Sequence, residues 1–196
     1  LHSGEKPQIS NGDGSVSVDK SHLPGLLDRA RMHDPDALAE LCTAYYPKIL
    51  RFMRYRVGPN EADDLAGEVF VKVMRSIQGQ TGSFDAWLYR LARNVIVDRV
   101  RYQQARPETE FDENMEKTLS DGSTAQATAG TRMDIENALA LMKEDHRELL
   151  TLKFVQGLTN DEISEITGQN VNAIRAMQFR ALKAMRAVFG RKGASI

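Results

Sequence analysis

Residues 103–133 divide this chain of 196 residues into two parts. The stretch holds Pro107, several Gly, Ser and Thr and scarcely any apolar periodicity, and a segment of that length suits a tether between two bodies better than a loop inside one core. Residues 107–133 carry six acids and two bases, so the tether is acidic. On both sides of it apolar residues recur at three- and four-residue steps, the period of helices packed on one face. The expected fold is all-α: a disordered amino-terminal segment at 1–24, a helical domain at 25–106, a linker at 107–133 and a second helical domain at 134–196 that contains a helix-turn-helix. No strand-like alternation and no internal repeat is visible in the sequence.

Composition removes several function classes. A single cysteine, Cys42, cannot close an intramolecular disulfide, and four scattered histidines, His2, His22, His33 and His146, show no metal-ligand spacing. No metal and no cofactor are expected. No apolar run approaches the roughly 18 residues that a membrane span requires, and the first thirty positions lack a secretory hydrophobic core. A cytoplasmic protein without membrane insertion is the expectation.

In the first body, Leu38, Leu41, Tyr45, Ile49, Phe52 and Met53 form one helical stripe that ends near Gly58 and Pro59. A second helix follows Asn60, with Leu65, Val69, Val73 and Ile77 as its stripe and Glu61, Asp63 and Asp64 in the first turn, where carboxylates favour the helix dipole. The loop at 76–83 then breaks the chain, and a third helix runs from Phe84 to about Tyr102 with Phe84, Trp87, Leu88, Leu91 and Val95 inward. Residues 86–106 hold five Arg and one acid, Asp98. Cations beside amide and aromatic groups suit a single nucleic-acid strand. Trp87 and Tyr89 invite a base-stacking role, but Trp87 lies on the apolar stripe and reads as core.

The second body carries four short helices, at about 134–143, 145–155, 160–167 and 170–188. Thr159 or Asn160 can cap the third, Gly168 permits a sharp turn, and Gln169 or Asn170 can cap the fourth. Residues 134–165 hold eight acids and three bases, whereas 166–196 hold six bases and no acid. On the last helix Val171, Ile174, Gln178, Ala181 and Met185 share one face. Asn172, Ala176, Phe179, Arg180 and Lys183 fall on the other, with Arg175 near the edge. A basic face on the second helix of a helix-turn-helix suits the major groove of duplex DNA, although a solvated basic face has the same charge pattern. Phe179 can touch a thymine methyl or pack on a neighbouring helix.

Taken in order, ADDLAGEVFVKVMRS (62–76), GSFDAWLYRLARNVIVDRVR (82–101) and the helix-turn-helix resemble the bacterial RNA polymerase sigma factors of the sigma-70 family, in the extracytoplasmic-function (ECF) group that keeps regions two and four. The resemblance covers about residues 25–190. It implies that Asp63, Asp64, Leu65, Glu68 and Phe70 dock on the beta-prime clamp of core RNA polymerase, whose beta flap is a further expected contact. It implies that Gln78, Gln80, Thr81, Ser83 and Phe84 lie where the family builds a pocket for a base flipped from the minus ten element, and that Arg90, Arg93, Asn94, Arg99 and Arg101 are the polar candidates along the helix beside the melted strand. It assigns Asn172, Arg175, Ala176, Phe179, Arg180 and Lys183 to the minus thirty-five element of promoter DNA, and it makes an anti-sigma factor an expected partner. The chain departs from the family where Gly67 replaces a common Gln and Met74 a common Trp. Across Ile174–Ala181 it reads I-R-A-M-Q-F-R-A where members often read V-R-S-R-L-x-R-A, which implies a different or weaker minus thirty-five preference.

The function so implied is that of a promoter-specificity subunit without covalent catalysis. The alternative is a stand-alone helix-turn-helix regulator whose first domain senses a ligand or dimerises. An enzyme built on Asp145, His146 and Glu148 lacks any accompanying nucleophile, metal or phosphate-loop motif, and those residues read as capping or surface groups. Cys42 reads as a small, partly buried residue.

Overall fold

A computed structural model of the protein describes residues 21–105 and 134–193, with side chains described as far as residue 189. Residues 1–20 of the amino-terminal segment expected at 1–24, and the linker expected at 107–133, lie outside the described residues. Within them the chain forms α1 (Leu23–Arg31), α2 (Pro35–Val57), α3 (Pro59–Ser76), α4 (Phe84–Ala105), α5 (134–140), α6 (Glu144–Leu150), α7 (Asn160–Thr167) and α8 (Val171–Gly193). A 3-10 turn at Ile77–Gly79 follows α3 and a π turn at Thr151–Val155 follows α6. No strand occurs among the described residues, in keeping with the all-α expectation.

Local chemistry sets the boundaries. Asp34 caps α2, its carboxylate accepting the backbone N–H groups of Asp36 at 2.9 Å and Ala37 at 3.2 Å, with Pro35 at the first helical position. The helix stops where Gly58 takes φ 87°, a conformation that L side chains rarely adopt. α1 overlaps the segment expected to be disordered up to residue 24. Its sequence, LPGLLDRAR, holds a Pro and a Gly and is nine residues long, too short for periodicity to stand out. It exists because Leu26, Leu27 and Ala30 are buried on the core, which is tertiary packing overriding weak propensity.

α2, α3 and α4 pack around Ile49, Phe52, Met53, Val69, Leu88, Tyr89 and Val95, each at most 2% exposed. The Tyr89 ring meets Phe52 edge-on, with centroids 5.4 Å apart, an arrangement that adds to area burial. The core does not stop at the first body: Leu149, Leu152, Leu158, Ile163, Ile166 and Ile174 of the second body join the same buried cluster. A smaller cluster of Leu139, Met142, Leu150 and Ala181 reaches back to Tyr55 of α2. The two helical regions expected from the sequence are therefore present and share a core.

Polar contacts tighten this junction. Tyr89 donates from its hydroxyl to Gln156 Oε1 at 2.8 Å. Arg56, its side chain 3% exposed, pairs with Glu144 at 2.6 Å and lies 3.7 Å from Glu148 Oε1. Arg93 donates to the same Glu148 oxygen at 3.0 Å. Arg147 gathers backbone carbonyls, donating to Leu139 at 3.0 Å, Ala140 at 2.8 Å and Arg56 at 3.1 Å. Glu148, expected as a surface or capping group, is a buried carboxylate between two guanidinium groups.

Because the core is shared, Leu152→Ala is expected to destabilise the whole described structure by about 2–5 kcal/mol, the range for emptying a buried leucine site. Fluorescence of Trp87, the sole tryptophan, reports the first body, and far-ultraviolet circular dichroism reports all helices. Denaturant titration should show both probes shifting together in one transition; a displaced circular dichroism curve with an unmoved Trp87 curve would mean that the bodies unfold separately.

Candidate partner and nucleic-acid surfaces

The helix-turn-helix is built by two caps and a glycine. Thr159 accepts the N–H of Glu162 at 3.2 Å while Glu162 Oε2 accepts the Thr159 N–H at 2.7 Å, a reciprocal capping box. Gly168 ends α7 in the left-handed region at φ 73°. Asn170 Oδ1 then accepts the Ala173 N–H at 2.8 Å and opens α8. Ile174 and Ala181 are buried, and Met177 packs on the core, so the opposite face turns outward. Asn172, Arg175, Ala176, Phe179, Arg180 and Lys183 are all exposed. Phe179, 74% exposed, does not pack on a neighbouring helix. Because residues 166–196 carry no acid, α8 supplies no negative charge of its own to this positive face, which suits a polyanion.

A second surface lies on α3. Asp63, Asp64 and Glu68 are exposed, whereas Leu65 is 5% and Phe70 6% exposed. Phe70 stacks on Tyr46 with centroids 5.5 Å apart, and the Tyr46 hydroxyl donates to Asp63 Oδ1 at 2.9 Å. Burial first, and that carboxylate second, push the Tyr46 hydroxyl pKa up. Leu65 and Phe70 thus hold the helix from beneath. The exposed apolar groups are Val71 and Met74, 39% and 43% exposed; of these the sequence marked Met74 only as a departure from the family and Val71 not at all. Their signal was present: Asp64, Gly67, Glu68, Val71 and Met74 fall on one helical face.

The third group surrounds α4. Thr81 is exposed and Ser83 half-buried, with Ser83 Oγ accepting the Ala86 N–H at 3.3 Å to open the helix. Gln80 and Phe84 are 2% and 4% exposed. Phe84 packs edge-on against Tyr45 at 4.9 Å and lies 5.7 Å from half-buried Trp87, while Tyr89 is core, so neither Phe84 nor Tyr89 offers a free stacking face. Asn94, Arg99 and Arg101 are exposed. Arg99 pairs with Glu61 at 2.8 Å, both groups about two-fifths exposed. Arg90, also exposed, donates to the Glu165 carbonyl at 2.8 Å, and half-buried Arg93 donates to Glu148, so both touch the second body.

These arginine contacts differ in cost. An exposed pair such as Arg99–Glu61 contributes about 0–1 kcal/mol and exchanges readily for another anion. Breaking Arg93 from Glu148, whose side chain is 9% exposed, leaves a largely buried carboxylate short of a partner and costs several times more. Cys42 is half-buried, and burial raises its thiol pKa, which disfavours the thiolate. Among the described residues no group of three or more His, Cys, Asp and Glu could hold a metal ion, and no helix is long and apolar enough to cross a membrane.

Two family profiles match the chain: sigma-70 region 2 over residues 41–106 and sigma-70 region 4 over 132–185. The ECF RNA polymerase sigma factor ShbA of Streptomyces griseus is 30% identical over 181 residues, covering 85% of this chain and 94% of its own. The ECF RNA polymerase sigma-E factor of Escherichia coli is 27% identical over 172 residues, covering 82% and 90%. Among solved structures, CnrH in complex with the cytosolic domain of CnrY superimposes with TM-score 0.65 at 18% identity, covering 85% of this chain and 96% of that one. RpoE of Bartonella quintana, in complex with the anti-sigma factor NepR, gives 0.60 at 17%, covering 78% and 96%. At those identities the two structures speak for the fold.

The glycines on these surfaces differ in kind. A Cβ at Gly67 would meet nothing within 4 Å, so Gly67→Ala is expected to stabilise the protein by roughly 0.5–1 kcal/mol through helix propensity. Gly168→Ala forces an L residue into φ 73° and should destabilise it by about 1–2 kcal/mol. Opposite shifts in the thermal midpoint check both.

Proposed function

We propose, because the chain belongs to the sigma-70 family of RNA polymerase sigma factors in its ECF group, a division of labour among its three surfaces. The protein directs core RNA polymerase to specific promoters in transcription initiation. In our reading α3 docks on the polymerase clamp through Asp63, Asp64 and Glu68, with Val71 and Met74 as apolar contacts and Leu65 and Phe70 as its internal support. The outer face of α8 reads the upstream duplex, Arg175, Arg180 and Lys183 supplying charge and Asn172, Ala176 and Phe179 shape and polarity. Thr81, Ser83, Asn94, Arg99 and Arg101 receive the melted strand. The observation that carries this reading is the capped helix-turn-helix with an exposed, acid-free outer face. A stand-alone regulator is disfavoured because the first body matches sigma-70 region 2.

No step in this reading asks for turnover chemistry: stabilising separated strands is binding, supplied by cations and stacking surfaces. Such a protein works in the cytoplasm, beside polymerase and chromosome. The solved relative bound to NepR supports a protein inhibitor as a further partner of this chain.

One consequence concerns conformation. Arg93 is tied to Glu148 of the second body, so its full use as a strand contact competes with that ion pair, whereas Arg90 is exposed beside the Glu165 carbonyl. Full use of Arg93 as a strand contact therefore belongs to an opened arrangement.

Arg180→Ala is expected to weaken binding to promoter duplex by about 1–3 kcal/mol while co-elution with core polymerase persists; Asp64→Ala with Glu68→Ala is expected to do the reverse. Promoter-dependent run-off transcription by the reconstituted holoenzyme tests the whole, and absence of core binding by the wild-type chain would sink it. Glu148→Gln is expected to raise the affinity of the core-free chain for single-stranded minus ten DNA roughly tenfold, the equivalent of one charged hydrogen bond. An unchanged affinity with a lowered melting temperature would make the Glu148 contact structural only.

A further inference from the structure

The loop before α4 is held from outside the matched family segments. α1 ends at Arg31, ahead of the region 2 match that begins at residue 41, yet this side chain reaches across the fold to residue 80. Its Nη2 donates to Gln80 Oε1 at 2.6 Å and its Nε donates to the Gln80 carbonyl at 3.2 Å. The remaining terminal nitrogen, Nη1, pairs with Asp28 at 2.7 Å and so fixes the guanidinium on its own helix. Gln80, 2% exposed, donates from Nε2 to the Gly82 carbonyl at 3.0 Å. Its carboxamide is used on both sides, as acceptor to Arg31 and as donor to Gly82.

The chain Asp28–Arg31–Gln80–Gly82 has a geometric effect. Gly82 stands at φ 72°, a conformation readily taken by glycine and easily lost to others without an anchor. The Gln80 to Gly82 hydrogen bond fixes the carbonyl of that residue, and Ser83 then opens α4. Thr81 and Gly82 between these anchors are exposed. A planar guanidinium that donates twice to one residue fixes direction as well as distance, which a lysine cannot do.

We infer that Arg31 is a positioning residue for promoter melting: through Gln80 it presents Thr81 and Gly82 in the shape that receives the unpaired base. The inference rests on the reading that this loop meets the melted strand. α1 then acts as a clamp on the loop, and Gln80 is an internal strut whose side chain reaches no base. A preformed receiving loop spares the ordering cost that a slack loop would impose when the base arrives.

The test uses reconstituted holoenzyme with Arg31→Ala, Arg31→Lys, Gln80→Met and the double variant Arg31→Ala with Gln80→Met. Two templates are compared, a closed promoter duplex and the same promoter with a preformed bubble, and permanganate reactivity of unpaired thymines reports opening. Arg31→Ala is expected to lower the opening rate on the closed duplex about tenfold, the effect of losing one charged hydrogen bond, with core affinity and closed-complex binding unchanged and a smaller loss on the bubble. Arg31→Lys should recover part of the rate, and the double variant should lose no more than the worse single one, since both act through one contact.

Equal rates for Arg31→Ala and wild type overturn the inference while leaving the function intact. So do losses that add in the double variant, or a parallel fall in core affinity, which marks general destabilisation. Should Arg31→Ala fail to fold, Gln80→Met and Arg31→Lys carry the same comparison. Failure of the wild-type holoenzyme to open the promoter overturns the functional reading itself.

Discussion

A carboxylate taken out of water must find cations or lose its charge, and Glu148 is the place where that requirement organises this molecule. It lies on α6 of the second body, with Arg56 of α2 and Arg93 of α4 around it. The first body therefore completes the electrostatic surroundings of a residue in the second. Apolar contact alone would tolerate many relative orientations of two helical bodies. The paired guanidinium groups, together with Arg147 spanning carbonyls of α2 and α5, select one. Burial of Leu152, Ile163 and Ile174 in the common cluster then supplies the non-directional attraction.

Much of the fold was legible in the sequence because long amphipathic helices carry a strong periodic signal. The stripes of α2, α3 and α4 and the order cap, glycine turn, cap in the second body needed no tertiary information. α1 was not legible: nine residues with Pro24 and Gly25 give no period, and its helix depends on the core that it covers. The junction between bodies was not legible either, since an Arg or Glu at 56, 93 or 148 looks the same in a solvated helix as in a buried pair.

The candidate surfaces divide the same way. The outward face of α8 followed from angle alone, since its apolar face had to turn inward. On α3 the motif pointed to Leu65 and Phe70 as docking groups, whereas burial makes them the support and leaves Val71 and Met74 outside. Sequence spacing identifies a helix with something to present; only packing decides which of its apolar residues are presented. Gln80 repeats the lesson in a loop, where a polar residue that reads as a binding group is consumed internally by Arg31 and Gly82.

The unequal cost of these contacts implies an order of events under the proposed function. The acidic face of α3 is exposed while Arg93 is paired with the buried Glu148 of the second body. Polymerase can therefore be met in the closed arrangement, but a melted strand engages Arg93 fully only where its pair with Glu148 gives way. A ligand that needs a sparsely populated arrangement binds with an affinity reduced by the populated fraction. Free protein should accordingly hold promoter DNA weakly even though its α8 face is available, because one tethered contact lacks the second that would multiply it. Polymerase lifts that penalty only to the extent that it binds the open arrangement more tightly than the closed one. Under the proposed function the buried Glu148 cluster thus ties promoter engagement to the partner.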